Sequence, residues 1–126
     1  MPDSSPDIIR IVPNIYSDDL EKSRQFYIVF LGMELVMDMK WILTFASKNN
    51  PLAQISVLQN ENKIRPDNKA IFLSIEMSDV DAMYAKAQKS DYNITYQITD
   101  EPWGVRRFFI SDPNGATINI LSHKEK

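Results

Sequence analysis

The chain reads twice through the same plan, and that repetition constrains its fold more than any other feature. Ser17-Asp18-Asp19-Leu20 answers Met77-Ser78-Asp79-Val80, and Phe45-Ala46-Ser47 answers Phe109-Ile110-Ser111. Ala53-Gln54-Ile55-Ser56-Val57 likewise answers Ala116-Thr117-Ile118-Asn119-Ile120. The offset is 60 residues from Asp19 to Asp79, 64 from Phe45 to Phe109 and 63 from Ser56 to Asn119, the drift that loop insertions and deletions leave. Each half reads strand–helix–strand–strand–strand.

In the first half Ile8–Tyr16 is expected to be extended, with Pro13 marking an edge or bulge. Asp18 is expected to cap a helix, with Glu21 completing a capping box. Leu20, Phe26, Tyr27, Phe30 and Leu31 give that helix an apolar stripe, which ends at Gly32. Strands follow over Met33–Met39, Lys40–Ser47 and Leu52–Leu58. In the second half Ala70–Met77 is a strand and Ser78 caps a helix carrying Val80, Met83, Tyr84 and Ala87. Tyr92–Ile98, Val105–Ser111 and Ala116–Leu121 are strands, the last after an Asp112-Pro113-Asn114-Gly115 turn. The polar run 59–69, with Pro66, reads as a linker between a module of about 8–58 and a module of about 70–122. At 126 residues the whole is one domain.

Composition removes several classes of function. There is no cysteine, so disulfides, thiolate nucleophiles and cysteine-held metals are excluded. The single histidine, His123, excludes any site that needs two imidazoles from one chain, and it reads as a solvated residue of a polar tail. A formal charge of −3 argues against a general nucleic-acid binder. Apolar stretches are of strand length and the start lacks a charged-then-apolar leader, so no membrane span, no signal peptide and a cytoplasmic location are expected.

Strand faces carry the functional signal, because alternate side chains of a strand share a face. Ile71, Leu73, Ile75 and Met77 oppose Ala70, Phe72, Ser74 and Glu76, while Ile118 and Ile120 oppose Thr117, Asn119 and Leu121. Ile55 and Val57 oppose Gln54, Ser56 and Leu58, and Ile9, Ile11 and Ile15 oppose Arg10, Val12, Asn14 and Tyr16. One face is uniformly apolar and suits packing under a helix. The other mixes aromatics, hydroxyls and amides, which fits either solvent or a cupped sheet lining a ligand cavity.

The helix motif Asp19-Leu20-Glu21-Lys22-Ser23 with Phe26-Tyr27 and Leu31-Gly32, the turn Asp112-Pro113-Asn114-Gly115 leading into Ile118-Asn119-Ile120-Leu121, and Pro102-Trp103-Gly104 with Arg106-Arg107-Phe108-Phe109 together resemble the vicinal oxygen chelate superfamily of glyoxalase, bleomycin-resistance and extradiol-dioxygenase proteins. The resemblance spans about residues 8–122. It implies an α+β fold of two βαβββ modules forming a cupped mixed sheet with helices outside, and commonly a homodimer. Enzymes of that superfamily hold a divalent metal, and the positions matching their ligands are Val12, Ser56, Phe72 and Asn119. Two of these have no lone pair and two are neutral, so the expectation is no metal, no cofactor and no catalytic residue.

What the resemblance to bleomycin-resistance-like members then implies is sequestration of a partly aromatic ligand, cationic in the known style of such binders, or an antibiotic. Tyr16, Trp41, Phe72 and Trp103 would supply apolar and stacking surface. Ser56, Ser74, Glu76, Arg107 and Asn119 would supply hydrogen bonds and charge. Trp41 also reads as a core residue, Trp103 as a loop anchor, and Glu76 as a partner of Arg10 or Arg107. The alternatives are a metal-dependent lyase or dioxygenase with unusual ligands, and a protein–protein module with a filled cavity.

Overall fold

The computed structural model describes residues 5–61 and 67–124. The linker's Pro66 therefore lies outside the described residues. The first module runs β1 (Asn14–Ser17), α1 (Leu20–Arg24), β2 (Glu34–Asp38), β3 (Ile42–Ala46) and β4 (Gln54–Gln59). The second runs β5 (Phe72–Glu76), α2 (Val80–Gln88), β6 (Ile94–Glu101), β7 (Val105–Ser111) and β8 (Thr117–His123). This is the α+β plan of two βαβββ modules, and the halves match in topology as well as in order. The two four-stranded sheets run β1-β4-β3-β2 and β5-β8-β7-β6, each with a parallel outer pair and antiparallel remainder. Even the register repeats, for Asn14 lies opposite Ser56 and Ser74 opposite Asn119.

Each sheet buries its apolar face beneath its own helix. Ile15, Leu43, Phe45 and Val57 are fully buried with Phe26 and Tyr27 of the first helix, as are Phe108, Ile110, Ile118 and Ile120 of the second sheet. A cluster of edge-to-face and stacked rings, Phe26, Tyr27, Phe30, Phe45 and Tyr92, joins them at centroid distances of 4.9–5.4 Å.

Helix starts differ from expectation by one residue. Asp19, not Asp18, caps α1: its backbone is extended (φ −144°) and its carboxylate accepts from the Glu21 and Lys22 amides. Asp79, not Ser78, caps α2, accepting from the Ala82 amide. In both places two adjacent residues can cap, and the second does so. Helix α1 continues without a break into a π-helical stretch, Gln25–Phe30, where the Leu31 amide reaches back to the Phe26 carbonyl at 2.9 Å. Gly32 then ends it at φ +78°, as expected.

The expected first strand is shortened. Although Ile8–Tyr16 alternates like a strand, only Asn14–Ser17 is laddered, and Ile8, Ile9 and Ile11 stand exposed. At the other end β8 is longer than expected and takes in His123, which pairs with Val105.

The modules are joined by polar contacts as well as rings. The buried Tyr27 hydroxyl donates to Asp112 Oδ2 at 2.7 Å across 85 residues of sequence. Asn68 Nδ2 donates to the Tyr16 and Asn114 carbonyls, both at 2.8 Å, and Asn114 Nδ2 donates to Ser23 Oγ at 3.0 Å. Lys86 of α2 donates to the Val29 and Phe30 carbonyls at 2.8 and 2.6 Å.

Candidate functional site

The register of the second sheet decides what its open face presents. Across the strands Ser74, Asn119 and Phe109 align in one row, and Glu76, Leu121, Arg107 and Thr99 in the next. Phe72 and Thr117 begin the face, and Tyr96 lies beside Phe109. Along β5, β7 and β8 the strand period of two turns these side chains away from α2, while Phe108, Ile110, Ile118 and Ile120 point toward the core; on β6 the register shift between Tyr96 and Thr99 sets both beside that same face.

An aromatic cluster results. Phe109 stacks on Tyr96 (centroids 4.7 Å) and meets Phe72 edge to face (5.1 Å). Trp103 sits in the β6–β7 turn, where the Gly104 amide donates to the Glu101 carbonyl at 3.1 Å and Gly104 takes φ +92°. Trp103 is 63% exposed and Phe72 52%, an unusual outlay of ring surface for a monomer. Arg107 lies among the rings with its guanidinium carbon 4.9–5.6 Å from the centroids of Phe109, Trp103 and Tyr96. Its Nε donates to Glu101 Oε2 at 2.7 Å.

The polar floor beside the rings is built from amide and hydroxyls. Asn119 is buried and donates through Nδ2 to Ser74 Oγ at 3.0 Å, while its Oδ1 has no hydrogen-bond partner. In the first sheet the equivalent floor is Ser56 and Thr44, whose hydroxyls lie 2.7 Å apart and are buried. Tyr16 is exposed on that sheet's open face, in a row with Leu58 and Ile42. Trp41 stands in the bend before β3 and is exposed, so the core reading does not hold for it.

Of the nine residues singled out in the sequence, Phe72, Ser74, Glu76, Trp103, Arg107 and Asn119 share the second sheet's open face and its rim. Tyr16 and Ser56 belong to the first sheet, and Trp41 to the bend ahead of its β3. A cavity of about 620 Å³ opens between the modules, but only Ser74 and Glu76 of the nine line it. Its walls are mostly apolar, from Ile11, Leu31, Met33, Leu73, Ile75 and Met77.

Two polar pairings differ from expectation. Glu76 pairs with neither Arg10 nor Arg107; Arg10 donates to Gln54 and Arg107 to Glu101. Its partner is His123, whose Nδ1 is 2.7 Å from Glu76 Oε2; the histidine is solvent-exposed, as expected, but stands on the open face at the end of β8 instead of in a tail. Arg106, on the other side of β7, holds Asp81 and Asp100, and Lys124 joins Asp100 at 2.8 Å. Hydrogen bonds from Lys124 and then Arg106 hold the Asp100 carboxyl below its usual range.

The metal-ligand positions implied by the family resemblance do not form a donor set. Val12 and Phe72 offer hydrocarbon, and the donors at Ser56 and Asn119 are neutral and buried. Among the described residues no three His, Asp or Glu side chains come together where an ion could be held.

Tyr96, Glu101, Phe109 and Thr44 belong to these faces although the sequence reading did not single them out. For Phe109 a signal was present, since it alternates with Phe108 and must face the same way as Arg107.

The family model described as the Glyoxalase/Bleomycin resistance protein/Dioxygenase superfamily matches residues 8–120. No curated protein matches the chain. Among solved structures, a member of the glyoxalase/bleomycin resistance protein/dioxygenase superfamily from Sphaerobacter thermophilus is 22% identical with a TM-score of 0.77, covering 93% of this chain and 98% of its own. A glyoxalase/bleomycin resistance protein/dioxygenase from Nocardioides is 19% identical with a TM-score of 0.75, covering 98% and 87%. TioX from Micromonospora sp. ML1 is 15% identical with a TM-score of 0.76, covering 90% and 98%. At these identities the structures speak for the fold alone.

Proposed function

Since the chain belongs to the glyoxalase/bleomycin resistance protein/dioxygenase superfamily, and superfamily alone does not fix chemistry, we propose that it is a cytoplasmic protein that binds a small, partly aromatic molecule without a metal and leaves it unchanged. The observation that carries this reading is the open face of the second sheet. Four rings, Phe72, Tyr96, Trp103 and Phe109, stand there beside the hydrogen-bonding Ser74–Asn119 pair, while the positions that would grip an ion hold hydrocarbon or neutral groups. A divalent ion needs charged or strongly basic donors to offset its lost hydration; a planar ligand needs only flat apolar surface and a few polar groups. Sequestration of a partly aromatic antibiotic is the biological role this reading assigns to such a face.

The working unit in this proposal is a homodimer. Ile8, Ile9 and Ile11, each at least 75% exposed, lie just ahead of β1, itself an outermost strand of its sheet. A second copy covering them would remove that apolar surface from water.

Titration of the purified protein with bleomycin-type and other aromatic compounds, followed by tryptophan fluorescence, tests the binding role. A saturable change reported by Trp103 is expected; silence across the panel overturns it. Elemental analysis, with a thermal-shift screen against nickel, zinc, manganese and iron(II), tests metal independence, and stoichiometric metal overturns that part. Sedimentation equilibrium tests the dimer.

A further inference from the structure

Arg107 is held at one end and open at the other. Its Nε donates to Glu101, a carboxylate only 9% exposed, and Glu101 also accepts from the Tyr96 hydroxyl at 3.2 and 3.3 Å. Rings of Phe109, Trp103 and Tyr96 surround the guanidinium carbon at 4.9, 5.1 and 5.6 Å. These restraints remove the rotamer freedom that an arginine would otherwise lose on meeting a ligand. Among the described residues Nη1 and Nη2 donate no hydrogen bond to the protein, and neither is buried without a partner, so they open to solvent. A guanidinium can only donate, so an oxygen acceptor is the ligand group that can replace that water.

We infer that the ligand of this face is a planar molecule carrying an oxygen acceptor, carboxylate or carbonyl, bound by the Arg107 Nη groups while its ring lies on Trp103. This rests on the proposed binding role of the face and reverses the sequence expectation of a cationic ligand. The ring cluster already stacks a cation, its own, and a second positive charge brought to the same rings would be repelled. The opposing acidic groups do not cancel the attraction. Glu101 is engaged by Arg107 and Tyr96. Glu76 is paired with His123 and lies two strands from Arg107 in the same row, about 10 Å away at ~4.8 Å per strand and so at roughly the screening length of physiological salt. A direct charge-assisted hydrogen bond outweighs a screened repulsion at that distance.

Isothermal titration calorimetry with a matched set tests the inference: 2-naphthoate, 2-naphthamide and 2-naphthylmethylammonium, which share one ring system and differ in the polar group. Naphthoate and naphthamide are expected to bind at least about ten-fold more tightly than the ammonium, the scale of a hydrogen bond to a charged group. Arg107→Gln is expected to weaken naphthoate by about ten-fold or more and leave the ammonium unweakened. Arg107→Lys, which keeps the charge and Glu101's partner but loses the fork, is expected to fall between, and it keeps the test valid should the glutamine variant fold poorly. Equal binding of all three compounds, or indifference of naphthoate to both substitutions, overturns the inference while leaving the binding role standing. Absence of binding by all three overturns the inference too, and the wider titration then decides separately whether the binding role falls with it.

Discussion

Tyr27→Phe deletes one oxygen from the interior and leaves the ring packing intact. The lost hydroxyl is fully buried and donates at 2.7 Å to Asp112, which also accepts from the Asn114 and Ala116 amides at 2.9 Å and from Asn114 Nδ2 at 3.2 Å. A hydrogen bond to a charged group contributes about 1.5–3 kcal/mol, and Asp112 keeps three other donors, so a loss of about 2 kcal/mol is expected. For a chain of this length that lowers Tm by roughly 6–12 °C. The loss also depends on pH in a direction the structure fixes. Burial raises the Asp112 pKa above its ordinary 3.8, and the bond from Tyr27 is the first of those pulling it back down. Removing that bond raises the folded-state pKa further. A carboxyl raised on folding makes stability fall as pH climbs from the unfolded value through the folded one. In the variant that fall extends further, so the gap between the two proteins is widest at neutral pH and narrows in acid. Urea unfolding of both at about pH 7 and about pH 4 measures it. A difference below about 0.5 kcal/mol at neutral pH, or one that grows on acidification, would refute the reasoning.

Other consequences follow from single contacts. Phe108→Ala empties a fully buried ring site against Tyr84 (centroids 5.0 Å) and is expected to cost about 3–5 kcal/mol by chemical denaturation. Lys86→Met cuts the two bonds from α2 to the end of the first module's helix; being partly exposed, these are worth about 0.5–1 kcal/mol, visible as a small drop in urea midpoint with unchanged m. Gly115→Ala meets no neighbouring atom but must adopt φ +92°, so about 1–2 kcal/mol of backbone strain is expected in the same assay.

Much of this architecture was legible because duplication supplies each signal twice. The pairs Asn14–Ser56 and Ser74–Asn119 sit where the repeat put them, and Gly32 ends its helix as read. What stayed hidden depends on partners distant in sequence. Ile8–Val12 alternates like a strand, yet a strand needs a neighbour's backbone, and composition does not reveal whether one is there. Ser122-His123-Lys124 reads as a tail, although Val105 extends the ladder to His123. Tyr96 reaches the open face of a strand whose register shifts between Ile94 and Tyr96 and again before Thr99, so simple alternation along β6 could not place it. Glu101 was invisible for another reason: its importance lies in Arg107, which only the hairpin brings to it.

Among the described residues, Asn68 ties the outer strands β1 and β5 to one another's neighbourhood at one end. Asn68, just ahead of β5, fastens the close of β1 to the β7–β8 turn, whereas the opening of β1 and the close of β5 frame the 620 Å³ gap. The halves also share one core, with Phe26 and Phe30 against Tyr92 and Tyr27 bonded to Asp112. A gap bounded by two halves fused in this way keeps its breadth, so the mouth admits what fits it and the apolar walls have little to rearrange when something enters.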